Sequence, residues 1–526
     1  MGNSLLAVRD INHKYIVVVG VNMYQIKLVY IKGAEIGTRK MQSYPLGIME
    51  MRAYAYSFSE IKKNVKIDID ILDYDIQDEA YVFEIYKEKY NMVLFSTYIW
   101  NISRVLELGR KIKIVNEDIV IGLGGPEVDD PLKLMSENTQ VDIISVGEGE
   151  KSFVSLIEKY LFMKKVNLAG VVYREENGKI VDTGSAELIE NLDDIPSIVN
   201  EKLVTQSDML LYETSRGCPF QCKYCCWAGK KMRYYSLERI ESDLKVLLEM
   251  QSGTSVFIID SELDIDLERA KKIMNIIIKY NIYNKLIQGF LGLHTIDAEL
   301  MELCKKANFK FGIGIQSVND EAISQCGRTW FDVKKFEEKL KTIGEFYDVR
   351  EIEFQLIMGL PGDNYETFRK NLQWCAQMGA VNITANRLYV LPGSYFYKNS
   401  EKYELKFDKN PYHLVYSNYS YSYEDIMRSE ALLVAFQITK SLFGIYINLK
   451  SGDFVLNMWD YIDNLVEVIE VKQMYSQGRQ ESQVVEREYE YEKIIIDNLK
   501  KINCYKKEFV DYFHMRFVKK RANTFF

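Results

Sequence analysis

Cys218, Cys222 and Cys225 stand in the run Thr214-Ser-Arg-Gly-Cys-Pro-Phe-Gln-Cys-Lys-Tyr-Cys-Cys-Trp227, a C-x3-C-x2-C spacing. Three closely spaced thiolates can hold three irons of a [4Fe–4S] cube while the fourth iron keeps an open position. A zinc site would ask for four protein ligands, usually as two C-x-x-C pairs, and the chain offers no second pair. Gly217 and Pro219 set the turn that wraps the thiolates, and Leu210-Leu-Tyr-Glu-Thr214 reads as the strand that delivers it. Four of the chain's eight cysteines fall within these nine residues, which separates the run from scattered core thiols. Cys226 follows the third ligand but lies outside the pattern and is read as packing. Cys304, Cys326, Cys375 and Cys504 are scattered and read as small core residues. Cys326, in Gln325-Cys-Gly-Arg328, is the one of these with some prospect of touching a substrate.

The elements around the cysteines have an α/β pattern. Val256–Asp260, Phe311–Gln316, Glu353–Gly359 and Asn382–Ala385 read as parallel strands, separated by amphipathic stretches such as Asp266–Tyr280 and Asp332–Phe346. Residues at strand C-termini line the working face of such a barrel. That rule brings Asp260, Gln316, Ser317 and the Gly359-Leu-Pro-Gly362 turn beside the cysteine loop.

Residues 1–165 alternate strand and helix in the same way. Tyr15–Gly20, Lys66–Leu72, Asn91–Ser96, Ile119–Gly122 and Asp142–Val146 read as strands of a doubly wound sheet. Their ends are small or polar: Ser96-Thr97, Gly124-Gly-Pro-Glu127 and Gly147-Glu-Gly-Glu150. Ligands of an open sheet sit beyond those ends. Gly122-Leu-Gly124-Gly125 is not a dinucleotide fingerprint, because Glu127 stands where a third glycine belongs and Pro126 interrupts the helix start. No phosphate-binding P-loop sequence occurs.

Taken together, the motifs resemble the radical S-adenosylmethionine (SAM) enzymes, whose cysteine run carries an aromatic residue before the last ligand, here Tyr224. Gly314-Ile-Gln316-Ser317, Leu356-Ile-Met-Gly-Leu-Pro-Gly-Asp363 and Leu388-Tyr-Val-Leu-Pro-Gly-Ser394 are similar to the Elp3-like radical SAM core. The resemblance implies SAM contacts at Tyr224, Asp260, Glu262, Gln316 and Ser317. The glycine-glycine-glutamate segment that anchors the SAM ammonium in many relatives is here Ile258-Ile-Asp-Ser-Glu, so Asp260 and Glu262 become the candidate acidic partners.

The first domain resembles the cobalamin-binding domain that precedes the barrel in class B radical SAM enzymes. That implies corrin contacts at Ser96, Thr97, Trp100, Gly124, Gly125, Pro126, Glu127, Gly147, Glu148 and Gly149. No D-x-H-x-x-G sequence is present, and His13 has no such context, so the resemblance implies cobalamin bound without a histidine ligand. A domain that keeps the fold and no corrin is the competing reading. Tyr98 and Trp100 suit either a corrin face or core filling.

The expected fold is therefore α/β: a flavodoxin-like (Rossmann-like) B12-binding domain over 1–165, a connector with an Asn177-Gly178 hairpin over 166–205, a partial (β/α)6 radical SAM barrel over 206–400, and a mainly helical C-terminal domain over 401–526. The implied function is a cobalamin-dependent radical SAM methyltransferase acting on an unactivated carbon of a natural-product or peptide substrate. The alternative is a radical SAM enzyme that cyclises or rearranges its substrate, with or without cobalamin. The implied cofactors are a [4Fe–4S] cluster, SAM and cobalamin, and the implied partner is a reductant such as flavodoxin or ferredoxin.

Composition narrows the rest. A net charge of −8 argues against a basic nucleic-acid surface. No run of eighteen apolar residues suggests a membrane span, the N-terminus lacks the apolar core of a signal peptide, and unpaired cysteines fit a reducing cytoplasm. Ser422-Tyr-Glu-Asp425 can cap a helix starting near Ile426, and the tyrosines between 389 and 423 suit a pocket or a structural lid. The charged stretch 477–492 reads as a solvated helix face. His294 reads as structural rather than catalytic.

Overall fold

The computed structural model describes residues 23–33 and 44–443, apart from 129, 293 and 294, with a few strands and single positions outside those ranges. The chain divides into two compact units. One comprises Met1–Glu35, Ser43–Ser207 and Arg233–Arg239; the other comprises Ile36–Gln42, Asp208–Met232 and Ile240–Phe526.

In the first unit, β1 (Leu5–Arg9) and β2 (Tyr15–Val19) form a two-stranded antiparallel sheet of their own. The main sheet holds β3 (Tyr24–Ile31), β4 (Val65–Leu72), β5 (Met92–Ser96), β6 (Val120–Gly124), β7 (Ile143–Ser145), β8 (Val171–Arg174) and β9 (Ile180–Asp182). Its order is β4-β3-β5-β6-β7-β8-β9. The first five strands are parallel and the last two antiparallel. This is the flavodoxin-like order, with its topological switch point between β3 and β5.

The expected first strand is thereby corrected. Tyr15–Val19 is a hairpin arm, and the central strand is Tyr24–Ile31. That strand is hard to see because Lys27 interrupts its apolar run. The lysine is nevertheless buried, its Nζ 2.8 Å from Asp70 of the neighbouring strand, and a buried charge needs such a partner. Helices Asp78–Glu88 and Ile102–Val115 cover one face of the sheet, and Leu46–Tyr56 and Gly149–Tyr160 the other. The Asn177-Gly178 hairpin forms as expected, with Gly178 at φ +83°, and it extends this sheet by two strands.

The second unit contains β10 (Met209–Tyr212), β11 (Ser215–Cys218), β12 (Lys230–Tyr234), β13 (Ser255–Ile258), β14 (Leu286–Phe290), β15 (Phe309–Gln316), β16 (Glu353–Met358) and β17 (Asn382–Arg387). Six of them form a parallel sheet in the order β10-β13-β14-β15-β16-β17, a partial barrel left open between its end strands. The short pair β11-β12 stands apart and flanks the cysteine loop.

Helices Leu267–Tyr280 and Val333–Ile343 lie where the periodicity put them, each N-capped by an aspartate (Asp266, Asp332) that accepts from a backbone N–H one turn on. After residue 400 come a small antiparallel pair, Lys406–Phe407 with Val415–Ser417, and a helix over Tyr423–Phe443. The Asp425 N–H donates to Ser422 Oγ at 3.0 Å, which is the anticipated cap. Among the described residues no helix is long and apolar enough to cross a membrane. His13, His294, Cys504 and the stretch 477–492 lie outside the described residues.

Candidate cofactor sites

The cysteine loop is built by backbone constraints first. Gly217 lies at φ +110°, and a Cβ there would stand 2.3 Å from the Lys231 carbonyl oxygen, so only glycine lets β11 approach β12. The Cys225 N–H donates to the Cys222 carbonyl at 3.1 Å, and the Gly229 N–H closes the loop onto the Phe220 carbonyl at 2.7 Å. The Lys223 N–H donates to the Cys326 carbonyl at 2.9 Å, and the Lys223 carbonyl accepts from Phe396 at 3.0 Å. Cys222 is buried, while Cys218, Cys225 and Cys226 are half-buried.

Burial raises the Cys218 pKa and pushes Cys225 up to about 11, and the neighbouring thiols add to both shifts. The three thiols are thus close enough to sense one another. Among the described residues no three His, Cys, Asp or Glu side chains converge on a single-ion site. Three mutually sensing thiols on one loop are a donor set that a [4Fe–4S] cluster can use.

Arg328 is the residue the sequence reading missed. It is buried, and its guanidinium donates to Cys222 Sγ at 3.8 Å, to Tyr224 Oη at 3.3 Å and to the Gly314 carbonyl at 2.7 Å. Desolvation opposes its charge, yet the neighbouring Tyr224 and Cys222 hold its pKa above the ordinary value. Arg328 thus ties the middle cysteine of the loop to the end of β15. The visible signal was the run Cys326-Gly-Arg328, which sequence reading noticed for its cysteine. Cys326 itself is buried, and it serves the loop through its carbonyl.

The expected SAM residues separate into two groups. Asp260 is almost fully buried, and both its oxygens are engaged: Oδ1 accepts from Thr214 N–H at 2.7 Å, and Oδ2 from the Thr214 and Ser215 hydroxyls at 2.5 and 2.7 Å. It fastens β13 to the start of β11 and thereby holds the cysteine loop. Burial raises its pKa against the hydrogen bonds that lower it. Ser317 is likewise buried, bonded to Asn371 at 3.1 Å and to Asn319 N–H at 3.0 Å, in a network that includes Asp363.

Glu262 and Gln316 sit differently from that pair. Burial, then the adjacent Asp264, push the Glu262 pKa up to about 8, while Arg328 lowers it. Cys218 also senses its charge. Gln316 ends β15 at φ +67°, directly after a register shift between Gly314 and Gln316. A Cβ on Gly314 would stand 2.5 Å from the Gln316 amide nitrogen, so the glycine leaves room for that side chain. A left-handed non-glycine residue at a strand end costs about 1–3 kcal/mol, and such strain gathers at working sites.

In the first unit, the loop beyond β5 is tied to the ends of β6 and β3. The Thr97 N–H and hydroxyl both donate to the Gly124 carbonyl, at 2.7 and 2.9 Å. Asn101 Nδ2 donates to the Ile31 carbonyl at 2.9 Å. Tyr98 stacks on Trp100 with ring centroids 4.4 Å apart, and Tyr30 meets Tyr98 edge-on at 5.9 Å. Of the expected corrin residues, Thr97 and Glu127 are buried, Ser96, Trp100, Gly124, Glu148 and Gly149 are half-buried, and Gly125, Pro126 and Gly147 are exposed. Glu148 is engaged by Arg233, which also donates to the Ile189 carbonyl at 2.6 Å. The exposed Gly-Pro backbone beside an aromatic stack at a switch point fits a broad flat ligand such as a corrin, with no imidazole offered by these loops.

Comparison with known proteins agrees with this division. Residues 39–157 match the B12 binding domain model, and residues 212–375 match the Radical SAM superfamily model. The chain is 24% identical over 330 residues to 2-(S-pantetheinyl)-carbapenam-3-carboxylate methyltransferase of Streptantibioticus cattleyicolor, covering 57% of this chain and 47% of that protein. It is 25% identical over 303 residues to anaerobic magnesium-protoporphyrin IX monomethyl ester cyclase of Rubrivivax gelatinosus, covering 52% and 51%. It thus spans about half the length of these curated relatives. Among solved structures, the cobalamin-dependent S-adenosylmethionine radical enzyme OxsB with aqua-cobalamin bound superposes with a TM-score of 0.63 at 14% identity, covering 96% of this chain and 81% of that one. That likeness is one of fold. The chain joins a B12-binding domain to a radical SAM domain of the Radical SAM superfamily, and the cofactors that go with those domains are cobalamin, SAM and a [4Fe–4S] cluster.

Proposed function

We propose that this protein is a cobalamin-dependent radical SAM methyltransferase that acts on an unactivated carbon of a natural-product or peptide substrate. The observation that carries the reading is the three-cysteine loop at the barrel's strand ends in a chain that also holds a B12-binding domain. When bound, the cluster and SAM supply a carbon-centred radical able to take hydrogen from an unactivated C–H bond, and cobalamin supplies a transferable methyl group.

The chain's own residues do the positioning. Cys218, Cys222 and Cys225 hold the cluster and leave one iron for SAM. Glu262 receives the SAM ammonium, and Gln316 and Tyr224 border the same ligand. Asp260, Ser317 and Lys223 hold the loops that carry those contacts. Gly124, Gly125, Pro126 and Gly147 present side-chain-free or rigid backbone to the corrin, with Trp100 beside them. The seven cysteines within the described residues are all free, which suits a reducing cytoplasm and delivery of electrons by a flavodoxin or ferredoxin.

Product counting tests the reading. A methyltransferase of this kind forms both 5′-deoxyadenosine and S-adenosylhomocysteine with its substrate. The similarity to a cyclase favours one second reading, oxidative cyclisation or rearrangement, which would form only the first. S-adenosylhomocysteine absent from turnovers that consume substrate would remove the methyltransferase.

A further inference from the structure

The cysteine loop carries a second feature that cluster binding does not require. From Ser215 to Arg233 the sequence holds five cations and no acidic residue, in a chain whose net charge is −8; Arg216 and Arg233 are paired with Glu213 and Glu148, which leaves Lys223, Lys230 and Lys231. Lys223 is tied down by its Nζ, which donates to Tyr403 Oη at 3.0 Å. Lys230 and Lys231 lie exposed at the start of β12. Immediately before them Trp227 is 55% exposed, a large indole left in water. Its backbone N–H donates to Cys225 Sγ at 3.3 Å. An exposed aromatic residue is thus one hydrogen bond from a cluster ligand and three residues from a pair of exposed lysines.

From this we infer that Trp227, Lys230 and Lys231 form the docking surface for the cluster's electron donor, an acidic, low-potential one-electron carrier protein. The inference rests on the radical SAM reading above. Charge complementarity selects the occupant: two adjacent solvent-exposed lysines beside an exposed indole attract an acidic partner and disfavour a basic one. Weak redox encounters bury under about 1,200 Å² and gain their rate from electrostatic steering, so two lysines around one aromatic contact suffice. Trp227 then shortens the path, since its amide touches the sulfur that would bind iron. One electron leaves the carrier, which is oxidised by one unit, and the cluster is reduced by one unit. No proton or group moves.

The test is stopped-flow reduction of the full-length reconstituted protein, using flavodoxin hydroquinone as donor and dithionite as a small-molecule control. The bimolecular rate with flavodoxin should fall as salt rises. In Lys230→Glu/Lys231→Glu it should drop about tenfold at low salt, while dithionite reduces the variant's cluster as fast as the wild type's. Lys230→Glu alone should give a smaller loss in the same direction, which guards against a misfolded double variant. A flavodoxin rate indifferent to both substitutions and to salt, or equal losses with flavodoxin and dithionite, would overturn the inference while leaving the radical SAM reading intact. If the wild type assembles no cluster, it is that reading which fails.

Discussion

At the residue scale, chemistry concentrates in a few buried charges around the cysteine loop. Cys222→Ala should abolish cluster assembly, measured as lost iron and lost charge-transfer absorbance, whereas Cys226→Ala should leave that absorbance largely intact. Glu262 offers a sharper test. Its carboxyl is held up to about 8 by burial and Asp264, so it is mostly neutral at pH 7 and becomes a carboxylate as pH rises through that value. SAM affinity should therefore strengthen across that window. Glu262→Gln should weaken SAM binding roughly tenfold, the worth of one charge-assisted hydrogen bond, and flatten the pH response. Calorimetric titration at pH 7 and pH 9 would settle it, and equal pH dependence in the two proteins would refute the role.

The cysteine spacing was open to sequence reading because iron chemistry demands it at fixed intervals along the chain. Arg328 was not. Its partners Cys222 and Tyr224 lie 106 and 104 residues away in sequence, and only the fold brings that guanidinium to the loop. Asp260 was noticed for the right reason, an acid at a strand end, but its oxygens are spent on Thr214 and Ser215. An unpaired ligand-binding acid and a fully bonded structural one look alike in sequence.

At the scale of elements, two loops depend on glycine and carboxylate fastenings. Asp260→Ala would leave the Thr214 N–H and two hydroxyls without their acceptor. Each buried group so orphaned costs about 1–3 kcal/mol, so the variant should show a lowered melting temperature and poor iron retention. Unchanged iron content would show that the loop holds its shape without β13. Five of the six barrel strands lie where the sequence places them; the sixth, β14, escaped notice because Gln288 and Gly289 break its short apolar run. Tyr24–Ile31 escaped notice because its central lysine is neutralised by a residue forty positions away on another strand.

For the molecule as a whole, the B12-binding domain and the radical SAM domain each predict a metal content. Anaerobic reconstitution with hydroxocobalamin, iron and sulfide should give about four irons and near-stoichiometric cobalt after gel filtration. Iron without cobalt would preserve the barrel's assignment and end the case for methyl transfer through cobalamin. The domain order was legible because each motif lies at a strand end and the strands come in sequence. The substrate was not, since the side chains that would select it meet only in the folded chain.

The neighbouring glycines 124 and 125 have different reasons to exist. A Cβ at Gly125 would fall 2.5 Å from the Thr97 carbonyl oxygen, and its φ of +111° is closed to other residues. At Gly124 the nearest atoms would be 3.7 Å away, an ordinary contact. Folding alone therefore requires glycine at 125. Gly124 carries no such demand, so a methyl added there would be felt by a ligand before it was felt by the fold. Gly124→Ala should accordingly spare the melting temperature while lowering cobalt uptake, and Gly125→Ala should lower both.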